Sequence, residues 1–304
     1  MSTAPVILIL VEPGFAVARS PSQKGLTESA LAVRYHGARL RIMLVYVERR
    51  GRQLISEALN ALRRLVPLTL RFVVWQRRML KSRPELSSRD VERMFSQIAR
   101  RIDVRRLERL RLRHRQGRPD DIEACDFQIK LRVAIVKALV AGLDTREQLQ
   151  ILDVGSGGGY FVAVCRHLGH AAIGTEVPRE HHDATVAQIY DEISAALGCP
   201  CATRLRISAY EPLSLTGTYD LITAHKICFN DHLKPTEWSV PEWRFFLSDA
   251  MRLLRPGGEL VLDLNENVER YGARRWYDED LLELFSSVGR ISGNVISARV
   301  GHQT

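Results

Sequence analysis

The chain has 304 residues, of which 45% are hydrophobic and 26% charged, with a formal net charge of +9. These are globular values: they exclude a fibrous or disordered chain and supply enough apolar material for two domains, or for one domain with a large extension. The charge is unevenly spread, because residues 1–118 hold 26 Lys+Arg and 9 Asp+Glu whereas the remainder holds 18 and 26, so a basic half precedes an acidic one.

In chain order, residues 5–12 and 40–48 read as short strands rich in β-branched residues, with a loop between them carrying Pro13-Gly14, Pro21 and Gly25. Residues 53–66 have helical periodicity, with Leu54, Ala58, Ala61, Leu62 and Leu65 on one face, and Pro67 stops them. Residues 68–80 continue as an apolar and basic mixture that includes Phe72, Trp75, Arg77 and Arg78. Ser87 or Ser88 is placed to cap an Arg-rich helix running to about 115. Gly117-Arg118-Pro119-Asp120 is the clearest break. It divides a basic N-terminal extension, 1–118, from a domain at 119–304.

Beyond the break the pattern becomes strand-helix alternation. An amphipathic helix over 126–142 precedes strands at 149–154, 171–177, 203–208, 219–225 and 259–265. Helices fall near 159–168, 181–197 and 241–254, and a last helix at 278–288 leads into a strand at 291–299. This spacing predicts an α/β fold: a mostly parallel sheet covered by helices on both faces.

The segment Leu149 to Phe161, LQILDVGSGGGYF, carries the strongest chemical signal. A strand runs into Gly155, Gly157, Gly158 and Gly159 and then into a helix, and glycine lets a ligand approach the main chain closely. Glu176 ends the next strand about 20 residues on, where an acidic side chain accepts hydrogen bonds from ribose hydroxyls. A dinucleotide fingerprint needs its third glycine at position 160, which is Tyr160. The register therefore favours a nucleoside without a pyrophosphate.

Over roughly 126–304 the sequence resembles the class I S-adenosylmethionine (SAM)-dependent methyltransferase family. The resemblance is carried by Asp153-Val154-Gly155-Ser156-Gly157-Gly158-Gly159, by Glu176, by Ser208-Ala209-Tyr210 after the third strand, by Tyr219 to His225 and by Leu253-Leu254-Arg255-Pro256-Gly257-Gly258. It implies a Rossmann-like seven-stranded sheet ending in a β-hairpin, with SAM as cofactor. It places Asp153, Gly155, Ser156, Gly157, Gly159, Tyr160, Glu176, Ser208 and Ala209 around that cofactor. An Asp common in the family after the third strand is absent here.

The resemblance implies methyl transfer, for which the protein aligns acceptor, methyl and sulfur and removes a proton where the acceptor is a hydroxyl. His225 is the candidate base, since an imidazole titrates near neutrality. The alternative is a His that only shapes the cleft. Residues 225–246 are rich in polar and aromatic side chains; Asn230, His232, Trp238 and Glu242 are candidate acceptor contacts, while Trp243 fits the core face of the next helix. The reading is an enzyme that methylates a small-molecule or glycan-like acceptor at oxygen. Its rivals are an RNA methyltransferase that uses the basic half, and a non-catalytic SAM-binding module. The Asn/Asp-Pro-Pro-aromatic tetrad of enzymes that methylate base amino groups is replaced by Ala224-His225-Lys226-Ile227.

The basic half carries no zinc spacing and no RNA-binding signature, and is expected to be a lid or specificity extension, with an anionic membrane surface or RNA as alternative partners; DNA is not expected. Cys125, Cys165, Cys199, Cys201 and Cys228 form no disulfide framework or zinc pair, which fits a reducing cytoplasm. No metal site is expected: His167, His170, His181 and His182 read as surface residues. The N-terminus lacks a signal-peptide pattern and no apolar run is long enough to span a membrane. The expected location is cytoplasmic, with a membrane-peripheral placement as the alternative.

Overall fold

The structure, a computed structural model, describes residues 31–32, 41–42, 68–114, 126–178, 180, 184–201, 203–227, 229, 237–265 and 277–301. The strand expected at 5–12, the helix at 53–66 and the break at 117–120 lie outside these residues. The chain forms two compact units, Met1–Arg63 and Arg64–Thr304. In the first, β1 (Leu31–Ala32) pairs antiparallel with β2 (Arg41–Ile42), Leu31 facing Ile42.

The second unit opens with three helices, α1 (Leu68–Leu80), α2 (Ser88–Ala99) and α3 (Val104–His114). Ser87 caps α2 in a capping box, its N–H donating to Asp90 Oδ2 at 2.8 Å. The single helix expected to run to about 115 is interrupted at Asp103. The Asp103 carboxylate accepts from the Arg106 N–H at 2.9 Å, and its own N–H donates to Ala196 O at 3.0 Å. An aspartate that caps the following turn and anchors to another element starts a new helix rather than continuing the old one.

There follow α4 (Phe127–Val140), β3 (Gln150–Val154), α5 (Tyr160–His167), β4 (Ala171–Glu176), α6 (Ala184–Ala196) and β5 (Thr203–Arg204). Then come β6 (Tyr219–His225), α7 (Val240–Arg252), β7 (Leu254–Asp263), α8 (Glu279–Val288), β8 (Arg290–Ser292) and β9 (Val295–Arg299). The seven strands run in the order β5-β4-β3-β6-β7-β9-β8. The first five are parallel, and β9 is antiparallel to both β7 and β8. This is the α/β, Rossmann-like sheet expected, hairpin included. The single strand expected at 291–299 is that hairpin: Gly293 takes φ +61 and turns the chain between β8 and β9. The third strand is shorter than expected, and the fifth starts earlier, at Leu254.

Strand side chains alternate between two cores. Ile151 and Leu221 pack on one face with α4, α5 and α6; Leu152, Val154, Ile222 and Ala224 pack on the other with α7 and α8. The Arg-rich helices belong to the first core. Leu80, Val91, Ile98, Leu107 and Leu110 are buried with Leu131, Ile135 and Leu139 of α4. The helices at 68–114 therefore share a compact unit with the sheet, although the change in charge falls later in the chain. Among the described residues no helix is long and apolar enough to cross a membrane.

Deleting residues 1–63 is expected to leave a cooperatively melting protein. Deleting 1–118 removes five buried aliphatic side chains, each contributing about 1.5–3 kcal/mol, and is expected to give an aggregating or non-cooperative product. Circular dichroism melts of the two truncations distinguish these outcomes.

Candidate functional site

The site forms at the C-terminal ends of β3, β4 and β6, the mouth of the parallel sheet. Beyond Val154 the chain turns through Gly155 at φ +66, Gly157 at φ +55 and Gly159 at φ +77. A Cβ on Gly155 would lie 2.5 Å from Ile227 Cγ2, so a larger residue there both strains the backbone and fills the cleft. The loop is pinned to β4. Ser156 donates to Thr175 O from its N–H at 2.7 Å and from Oγ at 3.1 Å, and the Gly155 N–H donates to Thr175 Oγ1 at 3.2 Å. The Gly157 N–H donates to Glu176 Oε2 at 2.6 Å, and the Val177 N–H to Oε1 at 2.9 Å. Glu176 is thus a buried carboxylate whose orientation is set by two main-chain donors.

These residues border a cavity of about 560 Å³. Gly155 to Gly158, Tyr160 and Glu176 form one side, and Leu205, Ile207 and Ile227 supply apolar walls. Asp153, Lys137, Phe161, His225 and Lys226 also line it. A carboxylate beside an apolar slot suits a nucleoside, with hydroxyls toward Glu176 and the base between Leu205 and Ile207. Ser208 and Ala209 lie outside this lining: the Ser208 Oγ is buried without a hydrogen-bond partner, and Ala209 packs against the second core.

Lys137, Lys226 and Asp153 line the cavity and belong with Asp263 to a set of charges of which the sequence alone singled out only Asp153. Lys137, on α4, lies 3.0 Å from Asp263 Oδ2 at the end of β7, and both side chains are largely buried, 16% and 14% exposed. Lys226 lies 2.8 Å from Asp263 Oδ1 and donates to Leu264 O at 2.7 Å, from a left-handed backbone at φ +57. Asp153 accepts from Thr223 Oγ1 at 2.7 Å. Burial pulls the Lys137 ammonium below its usual range, against the pull of Asp263. Burial alone would raise Asp263, but Lys137 and Lys226 hold it below the usual carboxylate range. Burial pushes Asp153 up to about 7, against the Thr223 hydrogen bond and the Lys137 charge.

His225 ends β6 beside these charges, its ring 4.7 Å from that of Phe161 in an edge-on contact. Both ring nitrogens are buried without a hydrogen-bond partner. Burial, followed by the nearby Lys137, holds its pKa well below that of an ordinary imidazole. The expected base titrating near neutrality is therefore a neutral, weakly basic ring.

Trp238 does not line the cavity. It is buried with Phe229, Trp243 and Phe246, ring centroids 5.5–5.6 Å apart, in the second core. Trp243 is core, as its place on the helix implied, and Glu242 caps α7 through Ser239. His170, expected at the surface, is buried: Nδ1 accepts from the Leu149 N–H at 3.2 Å and Nε2 donates to Leu143 O at 2.8 Å. Asn230, His232, His181, His182, Cys125 and Cys228 lie outside the described residues. Among the described residues no His/Cys/Asp/Glu group has metal-binding geometry. Lys137 had a readable signal, since it is the one charged residue in the apolar run from Val133 to Val140. Asp263, closing Leu260-Val261-Leu262, had the same kind of signal.

No protein-family model matches the chain, and no curated protein matches its sequence. Among solved structures, it is similar to the glycopeptide N-methyltransferase MtfA, at 14% identity and a TM-score of 0.31 over 45% of this chain and 54% of that one. It is also similar to a ribosomal protein L11 methylase from Lactobacillus delbrueckii subsp. bulgaricus, at 14% identity and 0.34 over 59% and 80%. An O-methyltransferase family protein from Burkholderia thailandensis gives 14% identity and 0.39 over 62% and 63%. The chain spans about half the length of the first of these. Overlap of this extent carries neither activity nor substrate from those proteins to this one.

Gly155→Ala is expected to destabilise the protein by about 1–3 kcal/mol, from left-handed strain and the Ile227 clash, measurable by denaturant unfolding. Asp153 gives a pH signature. A carboxyl with a folded pKa near 7 holds a proton between about pH 4 and 7 that the unfolded chain has released. Its contribution to stability therefore falls as pH rises through that window and is level above it. Asp153→Asn should remove that decline, so unfolding free energies of variant and wild type at pH 5 and pH 8 should differ in slope.

Proposed function

We propose that the chain is an enzyme, a SAM-dependent methyltransferase that acts at oxygen on a small-molecule acceptor. The observation that carries this reading is Glu176, held by the Gly157 N–H in the glycine-loop cavity that the apolar Leu205 and Ile207 also line. The cavity's size, about 560 Å³, lies within the range of small-molecule sites. Left-handed Gly155 leaves room against Ile227 that a side chain would fill. Glu176 would accept from the ribose hydroxyls, the loop from Gly155 to Gly157 would lie against the amino-acid end with Tyr160 at its edge, and Leu205 and Ile207 would hold the base. When bound, SAM supplies a methyl group on a sulfonium, already a good leaving group. The protein's part is alignment and the handling of one proton. His225, neutral and unpaired, would accept a hydrogen bond from the acceptor hydroxyl and orient it.

Asn230 and His232 remain candidate acceptor contacts on the sequence alone. The burial of Trp238 removes the aromatic platform that favoured a glycan. The placement of α1, whose Phe72, Trp75 and Met79 line a cavity next to the cofactor cleft, supports the basic extension as a specificity element.

Calorimetric titration of the full chain with SAM tests the reading. Binding is expected in the wild type, and Glu176→Ala should weaken it by roughly tenfold or more, the loss of hydrogen bonds to a charged acceptor. A folded protein that gives no heat with SAM overturns the proposal.

A further inference from the structure

We infer that the acceptor lies in the cavity beneath α1 and is an aromatic molecule presenting a phenol-type hydroxyl to His225, an inference that rests on the methyltransferase reading above. This second cavity, of about 710 Å³, is lined by α1, α4 and the strands β6, β7 and β9. It adjoins the cofactor cleft, because Lys137, Phe161, His225 and Lys226 line both. An acceptor seated in it would meet the cofactor across those shared residues.

The two ends of the cavity differ in chemistry. Away from the cofactor cleft its walls carry apolar and aromatic side chains, Phe72, Trp75 and Met79 from α1 with Leu221, Val261 and Val295 from the strands, alongside the polar Arg146, Thr223, Glu259, Arg290 and Ser297. A planar ring matches the faces of Phe72 and Trp75, whereas hydroxyls of a polyol laid against those faces would go unpaired, a substantial cost for each group. Toward the cofactor the groups are polar. His225 has neither ring nitrogen hydrogen-bonded, and Asp263 Oδ2 lies 3.9 Å from Nδ1, too far to bond. A buried imidazole without partners is a costly arrangement that a ligand hydroxyl would relieve.

Lys137 and Lys226 share the single carboxylate of Asp263, so two cations face one anion at that end. A phenol, with a pKa of about 10, can yield its proton beside such a group; an aliphatic alcohol holds its proton far more tightly. In the transfer, His225 would orient the hydroxyl through a hydrogen bond, an oxygen lone pair would form the O–CH₃ bond, and the O–H proton would leave to water. The C–S bond pair stays on sulfur, which becomes a neutral thioether.

Equilibrium dialysis of 4-nitrophenol against the full chain saturated with S-adenosylhomocysteine tests this, with methyl glucoside as the polyol comparison. One 4-nitrophenol is expected to bind per chain, more tightly than the glucoside. Ser297 lines this cavity and not the cofactor cleft, so Ser297→Phe should weaken 4-nitrophenol about tenfold or more while leaving SAM affinity unchanged. Trp75→Ala should do the same, and serves where Ser297→Phe fails to fold. Absence of 4-nitrophenol binding, equal binding by both variants, or preference for the glucoside overturns the inference. Failure of SAM itself to bind the wild type overturns the methyltransferase reading and the acceptor role with it.

Discussion

The ion pair between Lys137 and Asp263 is the contact around which the molecule is organised. It joins α4 to the end of β7, across the boundary between helix layer and sheet, with both side chains largely buried. Removing one partner from such a pair typically costs about 3–5 kcal/mol, because the remaining charge has no water to turn to. Much of the local chemistry follows from it. Lys137 depresses Asp263, adds to the burial that holds His225 neutral against the opposite pull of Asp263, and moderates the rise of Asp153. Lys137 also borders both large cavities, so the pair lies where they adjoin.

The glycine loop provides the second constraint, and it acts through β4 rather than alone. Four hydrogen bonds run from Gly155, Ser156 and Gly157 to Thr175 and Glu176. The loop and the acidic residue therefore form one rigid unit: a change in the loop reorients the carboxylate. That coupling explains why a glycine pattern and an acid about 20 residues later recur as a joint signal. Parallel pairing of β3 with β4 brings their C-terminal ends side by side, Asp153 opposite Gly174.

Much of this was legible in the residues. Alternating apolar strands and helices imply the covered parallel sheet, and Gly155, Gly157, Gly159 and Glu176 mark its mouth, because backbone freedom and local spacing are properties of short segments. Other features were not legible. Trp238 and Asn230 read alike as polar-aromatic candidates, yet Trp238 turns into an aromatic cluster with Phe229 and Trp243. The direction depends on how α7 packs against the sheet, which no local pattern encodes. His170 looked like a surface residue because the acceptor of its Nε2, the Leu143 carbonyl, lies 27 positions away. The Arg-rich segment looked like a separate half because charge is counted along the chain, whereas its buried face of Val91, Ile98, Leu107 and Leu110 is a matter of packing.

By itself the sequence determined the class of fold, the order of the strands along the chain and the left-handed glycine loop at the mouth of the sheet. Each of these rests on periodicity, glycine conformation or short-range spacing, which the chain carries locally. Only the tertiary structure decided that 68–114 shares the core of the sheet domain, that Lys137 and Asp263 meet beneath His225, and that α1 roofs a second cavity. These depend on side chains as far apart in sequence as Lys137 and Asp263 coming into contact. Burial, and hence the charge state of each group, exists only once the layers have closed.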